Sequence, residues 1–217
     1  MSVQPVESGI AVARGGKLVL LDVSERLIVT FVFGSFAWRM GHSYLATSNW
    51  LTLLLCISEA LPFIYIVLRA PSPTLSRDPF DWILGTAGTI MPLLVGTVEV
   101  APLVPVTLCL LLMVAGLCTQ IAAKIVLGRA FGIIAANRGV RVAGPYRFVR
   151  HPMYAGYTLT QIGFLLSMPS AMNAALYAAA LSLQLARIHR EERVLMRDPA
   201  YRAFAARVRY RLLPGVF

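Results

Sequence analysis

Residues 144–157 read Gly-Pro-Tyr-Arg-Phe-Val-Arg-His-Pro-Met-Tyr-Ala-Gly-Tyr, a polar, proline-broken loop between long apolar runs. Arg147, Arg150 and His151 share this segment with Tyr146, Tyr154 and Tyr157. Proline fixes φ, lacks an N–H and restrains the residue before it, so Gly144-Pro145 and His151-Pro152 each interrupt regular helix. The backbone freed there needs polar partners, available at a membrane surface or around a cavity but not in lipid. A loop of this kind between two spans reads as a site for an anionic or zwitterionic ligand.

The flanking composition sets the class. Of 217 residues, 58% are hydrophobic and 14% charged, and mean hydropathy is +0.70. One domain of this size has too little interior to hide that much apolar surface, which points to an integral membrane protein. The formal charge of +10 invites a nucleic-acid reading, but fourteen of the twenty Lys and Arg lie between Lys124 and Arg211, in blocks beside apolar runs. That pattern fits cytoplasmic loops facing anionic lipid, with no nucleic-acid partner. Cys56, Cys109 and Cys118 fall in apolar segments without CxxC spacing, as buried free thiols do. Residues 1–16 show no signal-peptide pattern.

Outward from the loop, the expected elements are all helical. Residues 1–16 read as mobile and 17–26 as an interfacial lead-in. Spans follow over 27–40 and 49–68, the second interrupted by Glu59 and Pro62. A proline-rich loop leads to a span over 82–98, a short turn at 99–105 and a span over 106–127. After the basic loop, 153–168 and 171–186 form a hairpin broken at Met168-Pro169-Ser170, with Ser170 as cap of the second helix. Tyr201, Phe204, Ala205 and Val208 recur at i, i+3, i+4, i+7, the stripe of an amphipathic tail helix. The expectation is an all-α integral membrane fold of about five to six transmembrane helices, including the C-terminal hairpin, plus that cytoplasmic helix. Residues 1–26 form its N-terminal segment, 27–127 its first set of transmembrane helices and 128–217 a C-terminal part that includes the loop, the hairpin and the tail.

Charge orients this topology. The loop at 128–150 carries five arginines and no acid, and the chain from Arg187 is again basic, so both face the cytoplasm. The 99–105 turn, without Lys or Arg, then lies outside, and both termini lie inside. The loop and the acidic pair Glu191-Glu192 share one side.

Each candidate residue also has an ordinary role. His151 can titrate or bind a ligand, but on residue type alone a helix cap or a lipid-phosphate contact suffices. Adjacent Glu191 and Glu192 point in different directions on a helix, so at most one faces a given ligand, and Arg187 with Glu191 makes a simple i, i+4 pair. Glu59 is the one acid well inside an apolar span; it lines a substrate cavity or finds a structural partner such as Lys124. His42, His151 and His189 lack ligand spacing, and no metal is expected. No dinucleotide loop or nucleophile triad stands out.

Taken together, Leu127-Gly128-Arg129-Ala130-Phe131, Gly144-Pro145-Tyr146-Arg147, the Arg-His-Pro-Met-Tyr-Ala-Gly run at 150–156, Arg187 with Glu191-Glu192, and residues 201–214 resemble the isoprenylcysteine carboxyl methyltransferase family, which includes bacterial phospholipid N-methyltransferase-like proteins. The resemblance implies an integral-membrane enzyme, expected in a bacterial inner membrane, that transfers the methyl of S-adenosylmethionine. Its acceptor would be lipophilic or small (a carboxylate, amine or thiol). Carried over, Arg138, Gly139, Val140, Arg141, Tyr146, Arg150, His151, Pro152, Met153, Tyr154, Glu191 and Glu192 would enclose the cofactor, while Arg187 and Glu59 would face the acceptor. The segment 138–141 is more basic than its counterpart in the eukaryotic enzymes, which argues against a prenylcysteine acceptor. Methyl transfer from a sulfonium needs positioning and desolvation more than an acid–base dyad, so a site without a triad is consistent with it. The alternatives are an NADPH-dependent membrane reductase of the sterol-reductase type, which shares a related Arg-His pattern, and a non-catalytic membrane protein.

Overall fold

The computed structural model describes residues 6–68, 79–127 and 142–216, and every regular element among them is helical. Helix α1 spans Val6–Thr47, α2 Trp50–Leu68, α3 Pro79–Ile90, α4 Val106–Leu127, α5 Pro152–Ser167, α6 Ala171–Leu195 and α7 Pro199–Arg207. Two 3-10 turns, Met91–Leu94 and Gly144–Arg147, extend α3 and precede α5.

Several boundaries correct the sequence expectation. The N-terminal region is one 42-residue helix from Val6, about 60 Å long, and not a mobile tail, a lead-in and a short span. No proline falls inside it, and its few charges are spaced widely enough for the backbone to continue. Helix α2 runs unbroken past Glu59 and Pro62. Helix α6 continues from its apolar part through Arg187 to Leu195, so the acidic pair stands on the same rod as the hairpin. The hairpin itself is as expected: the Ser170 side chain accepts from the Asn173 N–H.

The expected 82–98 span ends early. Pro92 tightens the chain into the turn Met91–Leu94, Val95 is extended, and 95–105 is irregular. Non-helical backbone in an apolar setting needs dedicated partners. Asn173 supplies two: its Oδ1 accepts from Gly96 N–H at 3.1 Å and its Nδ2 donates to Gly96 O at 2.9 Å. The Leu103 N–H donates to Leu166 O at 2.9 Å, and Arg39 donates to the carbonyls of Leu93 and Leu94. These contacts gather the C-terminal ends of α1, α3 and α5 at one end of the bundle. The 144–157 loop lies at the other.

Helices α4 and α5 pack backbone to backbone. A Cβ on Gly116 would meet Thr160 Oγ1, and Gly156 O at 2.6 Å; one on Gly163 would meet Cys109 O at 2.9 Å. Small residues allow this approach, as in helix pairs within lipid. Above it a core of Phe36, Met40, Leu55, Met113 and Phe164 fills the bundle. Large apolar side chains also cover the outside, including Phe31, Trp38, Leu45, Ile83, Leu103, Leu111 and Ile125. Exposed apolar surface of this extent suits contact with lipid or with a protein partner. Among the described residues, Val106–Leu127 alone is long and apolar enough to span a bilayer by length and composition. Of the three thiols, Cys109 is buried and Cys118 exposed, against the expectation that all are buried.

Candidate functional site

The 144–157 loop is built as its prolines dictate. Gly144 adopts φ +57, the left-handed region, and starts the turn through Tyr146. His151, at φ −127 and ψ 58, ends irregular backbone, and Pro152 opens α5. The His151 side chain does not cap that helix. The C-terminal tail holds the loop instead: Arg150 N–H donates to Tyr210 O at 2.9 Å and His151 N–H to Arg211 O at 2.8 Å. Helix α7 reinforces this by burying Tyr201 and Phe204 against Tyr146, Met153 and Ala123.

The imidazole of His151, 6% exposed, bridges both glutamates of α6. Its Nε2 lies 3.3 Å from Glu192 Oε1 and its Nδ1 3.9 Å from Glu191 Oε2. As helix geometry requires, the two carboxylates diverge. Glu192 faces inward among cations: Arg150 Nε is 3.2 Å from Oε1, and Arg211 Nε donates to Oε2 at 2.7 Å. Burial raises its pKa, but hydrogen bonds from His151 and Arg211 and the charges of His151 and Arg150 outweigh burial and hold it at about 2.

Glu191 turns the other way. Its Oε1 accepts from Tyr154 OH at 2.7 Å and from Arg187 Nε at 3.1 Å, the i, i+4 pair anticipated. Among the described residues its Oε2 makes only the long approach to His151, which leaves lone pairs available. The Arg187 guanidinium sits 5.5 Å from the centroid of the Tyr154 ring. Tyr146 is buried, and burial first, then the Glu191 and Tyr201 charges, raise its phenol far above the ordinary value. It is a neutral group beside the cluster. Among the described residues, the buried Tyr201 hydroxyl has no hydrogen-bond partner.

On the far side of Tyr154 lies a cavity between α1, α2, α3, α5 and α6. Glu59, Tyr154, Tyr157, Gln161, Gln184 and Arg187 give its polar lining, and Phe33, Phe63 and Leu93 part of its apolar one. Arg187 and Glu59, paired by sequence reasoning as facing one acceptor, do line one space. Lys124 is not an ion-pair partner of Glu59: its Nζ lies 3.5 Å from Gln120 Oε1 and 5.0 Å from the centroid of the Tyr157 ring. Gln120 also donates to Ser58 and Thr160, which completes a buried polar layer across α2, α4 and α5.

The structure thus brings together Tyr146, Arg150, His151, Pro152, Met153, Tyr154, Arg187, Glu191 and Glu192, with Glu59 across the adjoining cavity. Arg138, Gly139, Val140 and Arg141 lie outside the described residues. Sequence reasoning missed Arg211, Gln161 and Gln184. Arg211 lay within the stretch 201–214 without being singled out, and each glutamine is a polar residue in a mostly apolar stretch of its helix.

No curated protein matches the chain. The segment from α4 to the turn before α7, residues 107–197, matches the model of the isoprenylcysteine carboxyl methyltransferase (ICMT) family.

Proposed function

We propose that the protein is an integral-membrane methyltransferase that uses S-adenosylmethionine and methylates a lipophilic or small acceptor at the cytoplasmic membrane surface. The observation that carries this reading is His151 held between Glu191 and Glu192 beside a separate cavity lined by Arg187 and Glu59. A polar cluster beside a largely apolar cavity suits a soluble donor and a membrane-delivered acceptor.

The residues fit the donor. A cationic, hydroxyl-rich nucleoside needs carboxylate acceptors and aromatic surfaces, and here Glu191 Oε2 has lone pairs to spare beside Tyr146 and Tyr154. The Tyr201 hydroxyl nearby lacks a partner. When bound, the sulfonium supplies an electrophilic methyl together with its own leaving group. The chain's part is positional. Glu192, saturated by Arg150, His151 and Arg211, locks the loop to α6 and α7. Glu191 and His151 bind the polar end of the donor, and Tyr154 with Arg187 aims Glu191. The apolar walls of the cavity exclude water from the acceptor side.

In this reading the basic loop and tail face the cytoplasm, and α1 to α6 cross or enter the bilayer. Calorimetry with S-adenosylhomocysteine on purified protein in detergent tests it. His151→Ala and Glu191→Ala should each weaken binding tenfold or more, on the order of 1.5 kcal/mol for a hydrogen bond to a charged group. Unchanged affinity in both would remove the assignment. Labelled-methyl transfer into total membrane lipid identifies the acceptor.

A further inference from the structure

The end of the bundle that holds the 144–157 loop carries a surface that methyl transfer does not use. Arg193 and Arg197 at the end of α6, Arg202 and Arg207 on α7 and Arg209 just beyond it are all exposed. The acids of this region are engaged elsewhere. Glu191 and Glu192 are held by Arg187, His151, Arg150 and Arg211, and the Asp198 side chain accepts from the Ala200 N–H at 2.8 Å. Among the described residues, none of the five arginines makes an ion pair. The loop and tail add exposed Phe148, Tyr210, Leu213 and Val216.

The depth of this surface is set by α4. That helix has 22 residues and is about 33 Å long, which matches a hydrocarbon layer of about 30 Å. Tyr201, Phe204 and Val208 pack with Ala123, Val126 and Leu127 of its last turns, so α7 lies level with the lipid headgroups. Arginines mixed with apolar side chains at that depth fit an anionic bilayer surface, with guanidinium groups on phosphates and the apolar groups just beneath. An oligonucleotide has the charge but not the position, since the bilayer occupies that level. The same segment also holds the loop of the donor site. The Tyr210 and Arg211 carbonyls accept from the Arg150 and His151 N–H groups, and Arg209 O accepts from Arg150 Nη2 at 3.3 Å. Arg207 and Arg209 thus adjoin the backbone that fixes His151 between its glutamates.

Resting on the methyltransferase reading, we propose that an anionic lipid surface is the partner of this face and a regulator of the donor site. Arg202, Arg207 and Arg209 pin α7 and the tail to lipid phosphates, and the pinned tail holds the loop ready for the donor.

The test reconstitutes the full chain in nanodiscs of phosphatidylcholine alone or mixed with phosphatidylglycerol. S-adenosylhomocysteine, with no net charge at neutral pH, is the probe, because the anionic surface does not itself attract it. Its affinity by calorimetry should be about fivefold or more tighter in the anionic discs, the worth of one arginine at such a surface. The gain should shrink as salt is raised. Hydrogen exchange over 199–213 should slow in the anionic discs. The triple variant Arg202→Gln, Arg207→Gln, Arg209→Gln should lose both gains and keep the wild-type affinity in phosphatidylcholine. Equal affinity and equal exchange in the two discs overturn the proposal, as does a triple variant that keeps both gains. Slower exchange with unchanged affinity leaves the surface and removes its link to the donor. If the probe binds in neither disc while exchange still slows, the methyltransferase reading falls and the surface stands. Salt-sensitive binding of a labelled oligonucleotide, with no response to phosphatidylglycerol, would give the face to nucleic acid. Should the triple variant fail to fold, the salt series on the wild type decides, since a gain that survives high salt does not come from these charges.

Discussion

His151 Nε2 lies 3.3 Å from Glu192 Oε1 across a separation of 41 residues, and this contact joins the start of α5 to the far end of α6. Arg150 and Arg211 approach the same carboxylate. Glu192 is therefore the point on which loop, helix and tail converge, although its neighbour Glu191 has the more available oxygens.

Removing Glu192 should be more disruptive than removing Glu191. Glu192→Ala leaves Arg150, His151 and Arg211 without their anion, and breaking a buried pair from one side costs about 3 kcal/mol or more. The thermal midpoint in detergent should fall well below that of Glu191→Ala. Equal midpoints would mean that Glu192 is not the organising residue.

Acid should act through the same group. The Glu192 pKa is depressed from 4.5 to about 2 in the folded protein, so the stability it contributes is complete above the unfolded value. That stability is lost as pH falls from about 4.5 toward about 2. A midpoint measured across this range should drop, and Glu192→Gln should flatten that part of the profile. An identical slope in the variant would assign the drop to other carboxylates.

Tyr154→Phe deletes the 2.7 Å hydrogen bond to Glu191 while leaving the ring against Arg187. Loss of a hydrogen bond to a charged acceptor is worth about 1.5–3 kcal/mol. The thermal midpoint should fall accordingly, and S-adenosylhomocysteine affinity should fall at least tenfold as Glu191 loses its aim. A large fall in midpoint with affinity intact would make the tyrosine purely structural.

Gly116→Leu should prevent close packing of α4 on α5, since even a Cβ there meets the Gly156 carbonyl at 2.6 Å. Overpacking costs about 1–3 kcal/mol or more, and backbone neighbours cannot rotate away. Gly34→Ala, with nothing within 4 Å of the added carbon, is the control and should be neutral. The comparison is the yield of monodisperse protein from detergent.

Asn173→Leu should free both polar groups of Gly96 in an apolar setting. Each orphaned group costs about 1–3 kcal/mol. Hydrogen exchange should rise over 95–105 and remain unchanged at the 144–157 loop, which is at the opposite end.

Much of this was legible locally. The prolines after Gly144, His151 and Met168 act on their own φ angles and on their neighbours, so loop and hairpin boundaries follow from the chain itself. The tail helix follows from its period, with Tyr201, Phe204 and Val208 buried as expected. The Arg187–Glu191 pair follows from the rise of a helix. The end of α3 did not follow, because 91–98 is as apolar as the span it continues. Asn173, Arg39 and Leu166, all distant in the chain, satisfy the backbone that unwinds there. Nor did the length of α1, since charged residues near an apolar run suggest an edge unless the helix simply continues past it.

The amino-acid order by itself determined a helical membrane chain, the residues of the loop and acidic motifs, and the family resemblance of its C-terminal half. These rest on composition, period and local backbone chemistry. The tertiary structure alone decided that Glu192 turns inward to three cations and Glu191 outward, that Arg211 joins them, and that Glu59 and Gln161 face one cavity. Such outcomes depend on which distant groups satisfy which charges once the helices have packed, and pairing of that kind has no period to read along the chain.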